Sequence, residues 1–285
     1  MKPNGNHSNR LLQNLHFEAF CKEHNFEYYN QTFCNMADFY AAPCNIQSSS
    51  FLKFLQIDLL GKIFHNSRVV KKIFSVIWLL SKISCIKFVR FDKENEQHLS
   101  ETRLLKAFEK HNTVYTAGWW FRAPDLAEKY RSEMQKNYAL KPIFYNENSL
   151  VKKINALKTE GYMLIGIHIR RGDYRKWRGG KHCYDDDVYE KIMQNISAKI
   201  SEKHVFIIFS NDNVKFQESE NLLISKEDWY IDHHLMSLCD YLYGPPSTFT
   251  LWASYIGQAK LSYIYSPENI IPIFSDNALF IEVMT

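Results

Sequence analysis

Cysteine is sparse and unordered in this chain. The six residues Cys21, Cys34, Cys44, Cys85, Cys183 and Cys239 form no Cys-x-x-Cys pair and no regular spacing. That excludes a zinc ribbon and a disulfide framework and points to a reducing compartment. An apolar h-region is missing from the opening MKPNGNHSNR, so no secretory leader is expected. A membrane-length hydrophobic run is missing too. The nearest approach, residues 69–91, has no uninterrupted apolar piece longer than 76–80, and lysines interrupt the rest. It reads either as an amphipathic helix packed on its domain or as a basic helix lying on a membrane surface. Blocks of basic residues are absent as well. Lys and Arg are spread along a chain of net charge +4, which argues against a nucleic-acid partner and suits a small anionic substrate or an acidic membrane surface. Repeats and low-complexity tracts are lacking. The expected location is the cytoplasm, with peripheral contact at the inner membrane through 69–91 left open.

What is present is globular composition, and 285 residues suffice for two domains. The polar run at 146–149 is the candidate linker, which divides the chain into 1–147 and 148–285. In the first part, Leu11, Leu12, Leu15 and Ala19 recur at helical spacing, with Ser8 or Asn9 as N-cap. A small-residue turn opening a helix is also the usual form of an anion-accepting terminus. Helices are expected at 52–64, 70–83 and 123–139, and a strand at 114–121 broken by Gly118. The aromatic cluster Trp119, Trp120 and Phe121 beside Arg122 suits either a core or a sugar-gripping face.

After a helix at 148–160 the pattern becomes regular. Strands at 162–169, 204–210, 241–244 and 261–265 alternate with helices at 186–201, 232–239 and 247–258. Alternation of this kind builds βαβ units on a mostly parallel sheet, so the fold class is α/β. Strand ends of such a sheet gather on one edge, where ligands bind. The first strand, YMLIGIHIRRGDY, ends in His168, Arg170, Arg171 and Asp173; Met163, Ile165, Ile167 and Ile169 alternate with Leu164, Gly166, His168 and Arg170. The second supplies Ser210, Asn211 and Asp212. Gly244-Pro245-Pro246-Ser247-Thr248 then enters a helix, with Ser247 or Thr248 as cap. Free helix amides faced by an arginine make a diphosphate seat.

Each of these features has a plainer alternative. Arg170 and Arg171 could be tied to Asp173 or Asp212, although two arginines beside one near aspartate leave a surplus cation. Asp232 could be an N-cap. The triplet Asp185-Asp186-Asp187 could hold Mg²⁺ or Mn²⁺, but its flanks read as an acidic first helical turn, so no metal site is assigned. His182, His233 and His234 lack zinc-ligand spacing.

At these residues the chain resembles the α-1,2-fucosyltransferases of glycosyltransferase family eleven, in their soluble bacterial form. The likeness rests on His168-Ile169-Arg170-Arg171-Gly172-Asp173-Tyr174, on Phe209-Ser210-Asn211-Asp212, and on Asp232-His233-His234-Leu235-Met236-Ser237-Leu238-Cys239. It continues through Gly244-Pro245-Pro246-Ser247-Thr248-Phe249-Thr250-Leu251-Trp252. The resemblance implies a GT-B fold, with an acceptor-side domain at 1–147 and a GDP-sugar domain at 148–285. It implies inverting, metal-independent transfer of L-fucose from GDP-fucose to a galactose-bearing glycan, with no cofactor. Arg170 would hold the β-phosphate, and His168 and Asp232 would approach the guanosine. Ser247, Thr248 and Phe249 would line the diphosphate, Asn211 or Asp212 would lie near the nucleotide, and Asn9 would serve the donor from the first domain. Asp173 ranks first as catalytic base, ahead of Asp185 and His182. The chain departs from the family pattern at Gly5-Asn6-His7-Ser8-Asn9-Arg10 and at Gly118-Trp119-Trp120-Phe121. Transfer of another nucleotide sugar, another fucosyl linkage, and a non-catalytic nucleotide- or glycan-binding protein are the competing expectations.

Overall fold

The computed structural model describes residues 7–28, 30, 34–41 and 86–266. The helices expected at 52–64 and 70–83, the turn residues Gly5 and Asn6, and most of 69–91 lie outside the described residues. The chain forms two compact units, 1–139 and 140–285, so the division falls earlier than the run at 146–149.

In the first unit, helix α1 (His7–Glu23) buries Leu11, Leu12, Leu15, Phe17, Ala19 and Phe20. It also buries Gln13, Asn14 and His16, which make specific polar contacts. Gln13 donates to the Gly118 carbonyl. Asn14 and Glu18 share the Tyr138 hydroxyl. His16 Nδ1 accepts from the Ala123 amide at 3.2 Å. Because His7–Arg10 already belong to the helix, Ser8 and Asn9 lie inside its first turn and are not caps.

Strand β1 (Ile86–Arg90) follows, then helix α2 (Ser100–Phe108) and strand β2 (Thr113–Ala117); the two strands pair in parallel. This corrects the helical reading of 69–91 at its end. Lys87 and Arg90 are exposed while Val89 and Phe91 are buried, and pairing with β2 turns that pattern into a strand. Phe17, Phe20, Val89, Phe91, Leu104 and Phe121 form one core. The helix expected at 123–139 is two short ones, α3 (Pro124–Lys129) and α4 (Arg131–Asn137), divided at Tyr130, whose φ of −99° and ψ of 11° leave the helical range.

The second unit opens with α5 (Ser149–Thr159), capped by Asn148 Oδ1 on the Val151 amide at 2.9 Å. Next come β3 (Met163–Ile169), α6 (Asp186–Ser197), β4 (His204–Ser210), β5 (Leu222–Ile224), α7 (Trp229–Leu238), β6 (Tyr241–Gly244), α8 (Thr248–Gly257) and β7 (Lys260–Tyr263). All pairs in the five-stranded sheet are parallel, in the order β5-β4-β3-β6-β7. The α/β class with parallel strands is therefore what the chain adopts. Strand β5 is an addition the sequence did not announce. On one face Ile165, Ile167 and Ile169 join Phe206 and Ile208 against Tyr189, Ile192, Met193 and Ile196 of α6. Burial of each such aliphatic side chain is worth roughly 1.5–3 kcal/mol, and this alternation sets which residues of β3 face the other layer.

Candidate active site

The chain leaves β3 outward through β4 and β5, then returns to place β6 on the opposite side of β3. The crevice between the carboxyl ends of β3 and β6 is thus a topological switch point, where open α/β sheets receive ligands. Two glycines permit the close approach there. A Cβ on Gly244 would stand 2.8 Å from the His168 carbonyl oxygen. Gly172 has φ +51° as the chain turns after Arg171, with the Asn211 side chain 2.7 Å from where a Cβ would be.

His168 is 4% exposed, and its Nδ1 makes no hydrogen bond. Burial first and the Arg170 charge second pull its pKa down to about 3, so the imidazole is neutral. Its ring lies 5.4 Å from Phe249, which is 3.9 Å from the ring of His233. Phe249 therefore packs α8 against the strand end and α7.

The two arginines have different fates. Arg171 is buried and pairs with Asp186 at the start of α6. It also donates to the Asn213 carbonyl at 2.9 Å, while its own amide donates to Asn211 Oδ1 at 2.9 Å. Its partner is Asp186 rather than the expected Asp173 or Asp212. Arg170 pairs with Asp173 at 2.8 Å, and the two side chains are 22% and 61% exposed. Asp212 is engaged by Arg175 at 2.6 Å, which holds its carboxyl below the usual range. The surplus cation expected from the sequence does not exist: Arg170, Arg171 and Arg175 each have a carboxylate. What separates Arg170 from Arg171 is that its carboxylate partner is open to solvent, as the Arg175–Asp212 pair also is. Such pairs are worth about 0–1 kcal/mol, whereas breaking a buried one costs about 3–5 kcal/mol.

Across the switch point, Ser247 is the N-cap of α8. Its Oγ accepts from the Phe249 amide at 3.2 Å, and its carbonyl accepts from Thr250 Oγ1 at 3.0 Å. Thr248 is the first helical residue, so the opening amides of α8 lie at the sheet edge without intrahelical acceptors. The Tyr174 hydroxyl, its pKa raised by burial, donates to the Pro246 carbonyl at 2.6 Å and joins the two loops.

Asp232 is not the N-cap of α7. That helix starts at Trp229, with Asp228 in the cap position. Asp232 instead lies inside the first turns, accepts from Ser225 Oγ, and has its pKa raised to about 7, chiefly by burial. Ser225 lines a cavity of about 650 Å³ between the loops after β4 and β5, walled also by Ser210, Asn211, Asp212 and Phe216.

The sheet edge thus brings together His168, Arg170, Asp173, Asn211, Asp212, Asp232, Ser247, Thr248 and Phe249. Asn9 belongs to the other unit. Asp185 is exposed at the N-cap of α6, and Asp186 of the same triplet is spent on Arg171 and the Lys215 amide. His182 is buried beside Trp177 and the Tyr184 hydroxyl. Sequence reasoning overlooked Ser225, which follows a three-residue strand too short for any periodicity. It also overlooked the bridging part played by Tyr174, although Tyr174 closes the motif itself.

Among the described residues no helix is long and apolar enough to cross a membrane. The solved structures similar to this chain include NodZ α-1,6-fucosyltransferase soaked with GDP-fucose, with 16% identity over 58% of this chain and 60% of that one, at a TM-score of 0.33. Fucosyltransferase NodZ from Bradyrhizobium shows 18% identity over 57% and 60%, at 0.34. NodZ co-crystallised with GDP shows 18% over 57% and 59%, at 0.33. The chain thus spans about three fifths of the length of these structures. A search of curated proteins finds no match. The family model for glycosyl transferase family 11 matches residues 87–271, well over half of the chain. This chain, with its arginine-bearing strand end facing a capped helix N-terminus, belongs to glycosyl transferase family 11.

Proposed function

We propose that the chain moves L-fucose from GDP-β-L-fucose to a hydroxyl of a galactose-bearing glycan, forming an α-1,2 linkage with inversion. Membership of the family supports glycosyl transfer, and the observation that carries the donor assignment is the open Arg170–Asp173 pair at the β3/β6 switch point. In a GT-B arrangement the second unit would hold the donor and the first would present the acceptor. The diphosphate takes its seat between Arg170 and the first turn of α8 around Ser247 and Thr248. The guanine enters the cavity at the ends of β4 and β5, beside Asn211 and Asp212. There Asp232 accepts from its N1–H and N2–H₂, and the neutral His168 adds a further polar contact.

A phosphate that binds Arg170 displaces Asp173. Each charge-assisted bond gained is worth about 1.5–3 kcal/mol, more than the exposed pair that it replaces. Asp173 then becomes available as general base. The acceptor oxygen attacks the anomeric carbon from the face opposite GDP and its proton passes to Asp173. The bond from that carbon to the β-phosphate oxygen breaks, and its electron pair leaves with GDP. Arg170 and the α8 amides stabilise that developing charge, the part a metal ion plays in other transferases.

Incubation with GDP-fucose and a panel of galactose-terminated acceptors, with the product linkage read by NMR, tests the reading. An α-1,2-fucosylated product is expected; turnover with another donor, or binding without turnover on any acceptor, overturns it. Thermal shifts with GDP, UDP and CMP should favour GDP.

A further inference from the structure

We infer that Tyr174 is a positioning residue that orients the Arg170 guanidinium and sets its distance from the N-terminus of α8. The inference rests on the donor reading above and extends it to a side chain that would not itself touch the nucleotide. Tyr174 lies in the 3₁₀ turn Gly172–Arg175 that follows β3. The guanidinium carbon of Arg170 stands 5.5 Å from the centroid of its ring, within cation–π range. The ring is backed in turn by Trp177, at 4.7 Å between centroids. The hydroxyl reaches across the switch point to the Pro246 carbonyl at 2.6 Å. Pro246 directly precedes Ser247, the cap of α8. One side chain therefore contacts the cation by its ring and the cap turn by its hydroxyl. The two halves of the phosphate seat lie on different strand-end loops, and Tyr174 spans them.

The geometry makes a selective demand. The base cavity lies at the ends of β4 and β5 and is built from other loops. A shift in the Arg170-to-α8 spacing should therefore be felt by the phosphates and not by the guanine. Tyr174→Phe keeps the ring and removes the hydroxyl link. Tyr174→Leu removes both.

Calorimetric titration of GDP and of guanosine into the wild-type protein, both variants, Arg170→Ala and the two double variants tests this. Tyr174→Phe should weaken GDP about threefold to tenfold, the range of one neutral hydrogen bond. Tyr174→Leu should weaken it about tenfold to a hundredfold, because the cation–π contact goes as well. Guanosine affinity should be unchanged in both. Phe and Leu at 174 should be equivalent once Arg170 is alanine, because the ring acts through that arginine. Equal losses for guanosine and GDP, wild-type GDP affinity in both variants, or an undiminished Phe-to-Leu difference in the Arg170→Ala background would each overturn the role. A wild-type protein that binds guanosine as well as GDP would show that the phosphate site itself is wrong, and Tyr174's role would fall with it. That failure appears before any Tyr174 variant is measured.

Discussion

Arg170 and Arg171 are neighbours on one strand end, yet they occupy two different regions. Arg171 turns into the layer of α6, where Asp186 and two backbone carbonyls close around it. Arg170 turns to the β3/β6 crevice, where its carboxylate partner is more than half exposed and three residues away. The same residue type thus serves scaffolding in one case and exchangeable charge in the other, and the difference is solvent. A buried ion pair cannot give up one partner without stranding the other, whereas an exposed one can trade its aspartate for a phosphate.

The largest expected effect falls on the buried side. Arg171→Ala should cost about 3–5 kcal/mol of stability, because Asp186 is left without its counter-charge. Urea unfolding measures it, and a loss below about 1 kcal/mol would erase the distinction between the arginines. Arg170→Ala should leave unfolding nearly unchanged and lower transfer about a hundredfold to a thousandfold, the cost of losing one preorganised stabilising donor. Arg170→Lys should lose most of the activity as well, because a point charge does not reproduce the bidentate fork. Near wild-type turnover in both variants would remove Arg170 from the reaction.

Asp232 offers a third contrast, since burial without an opposing cation raises its pKa to about 7. Binding of guanine requires the carboxylate, so GDP affinity should fall about tenfold per pH unit below 7 and level off above it. Asp232→Asn should bind weakly and show no such slope; a wild-type profile flat from pH 5.5 to 8 would separate Asp232 from the base. The same shift has a stability sign. A carboxyl with a raised folded pKa favours the folded state below its unfolded pKa, and that advantage is lost as pH climbs towards 7. The smallest effect belongs to the cap. Ser247→Ala should cost about 1 kcal/mol and Ser247→Gly only a few tenths, both read from thermal melts.

The regular half of the fold was legible because its strands are buried runs between helices of clear period. Strands β3 and β4 fall where their β-branched runs stand, since a central strand covered on both faces has no other way to bury them. Strand β6, Tyr241–Gly244, has no β-branched residue and follows from its place between two helices. Strand β1 was missed because IKFVRF carries both an alternating pattern and enough basic residues to continue an amphipathic helix. Pairing with Thr113–Ala117, far along the chain, decides between them. The start of α7 lies at Trp229, earlier than the expected Asp232, with Asp228 in the cap position and Ile231 already buried in the first turn.

The residues of the strand-end motif and their convergence on one sheet edge follow from the sequence alone, because parallel strands place their carboxyl ends together whatever their neighbours are. Which carboxylate meets which arginine does not follow. Asp186 reaches Arg171 because α6 packs beneath β3, and Asp212 is taken by Arg175 after the turn at Gly172. Charge counting along a chain is blind to that, since ion pairing depends on distances of a few ångströms that only the packed layers define. Arg170 has an exchangeable partner because the tertiary structure leaves Asp173 in water.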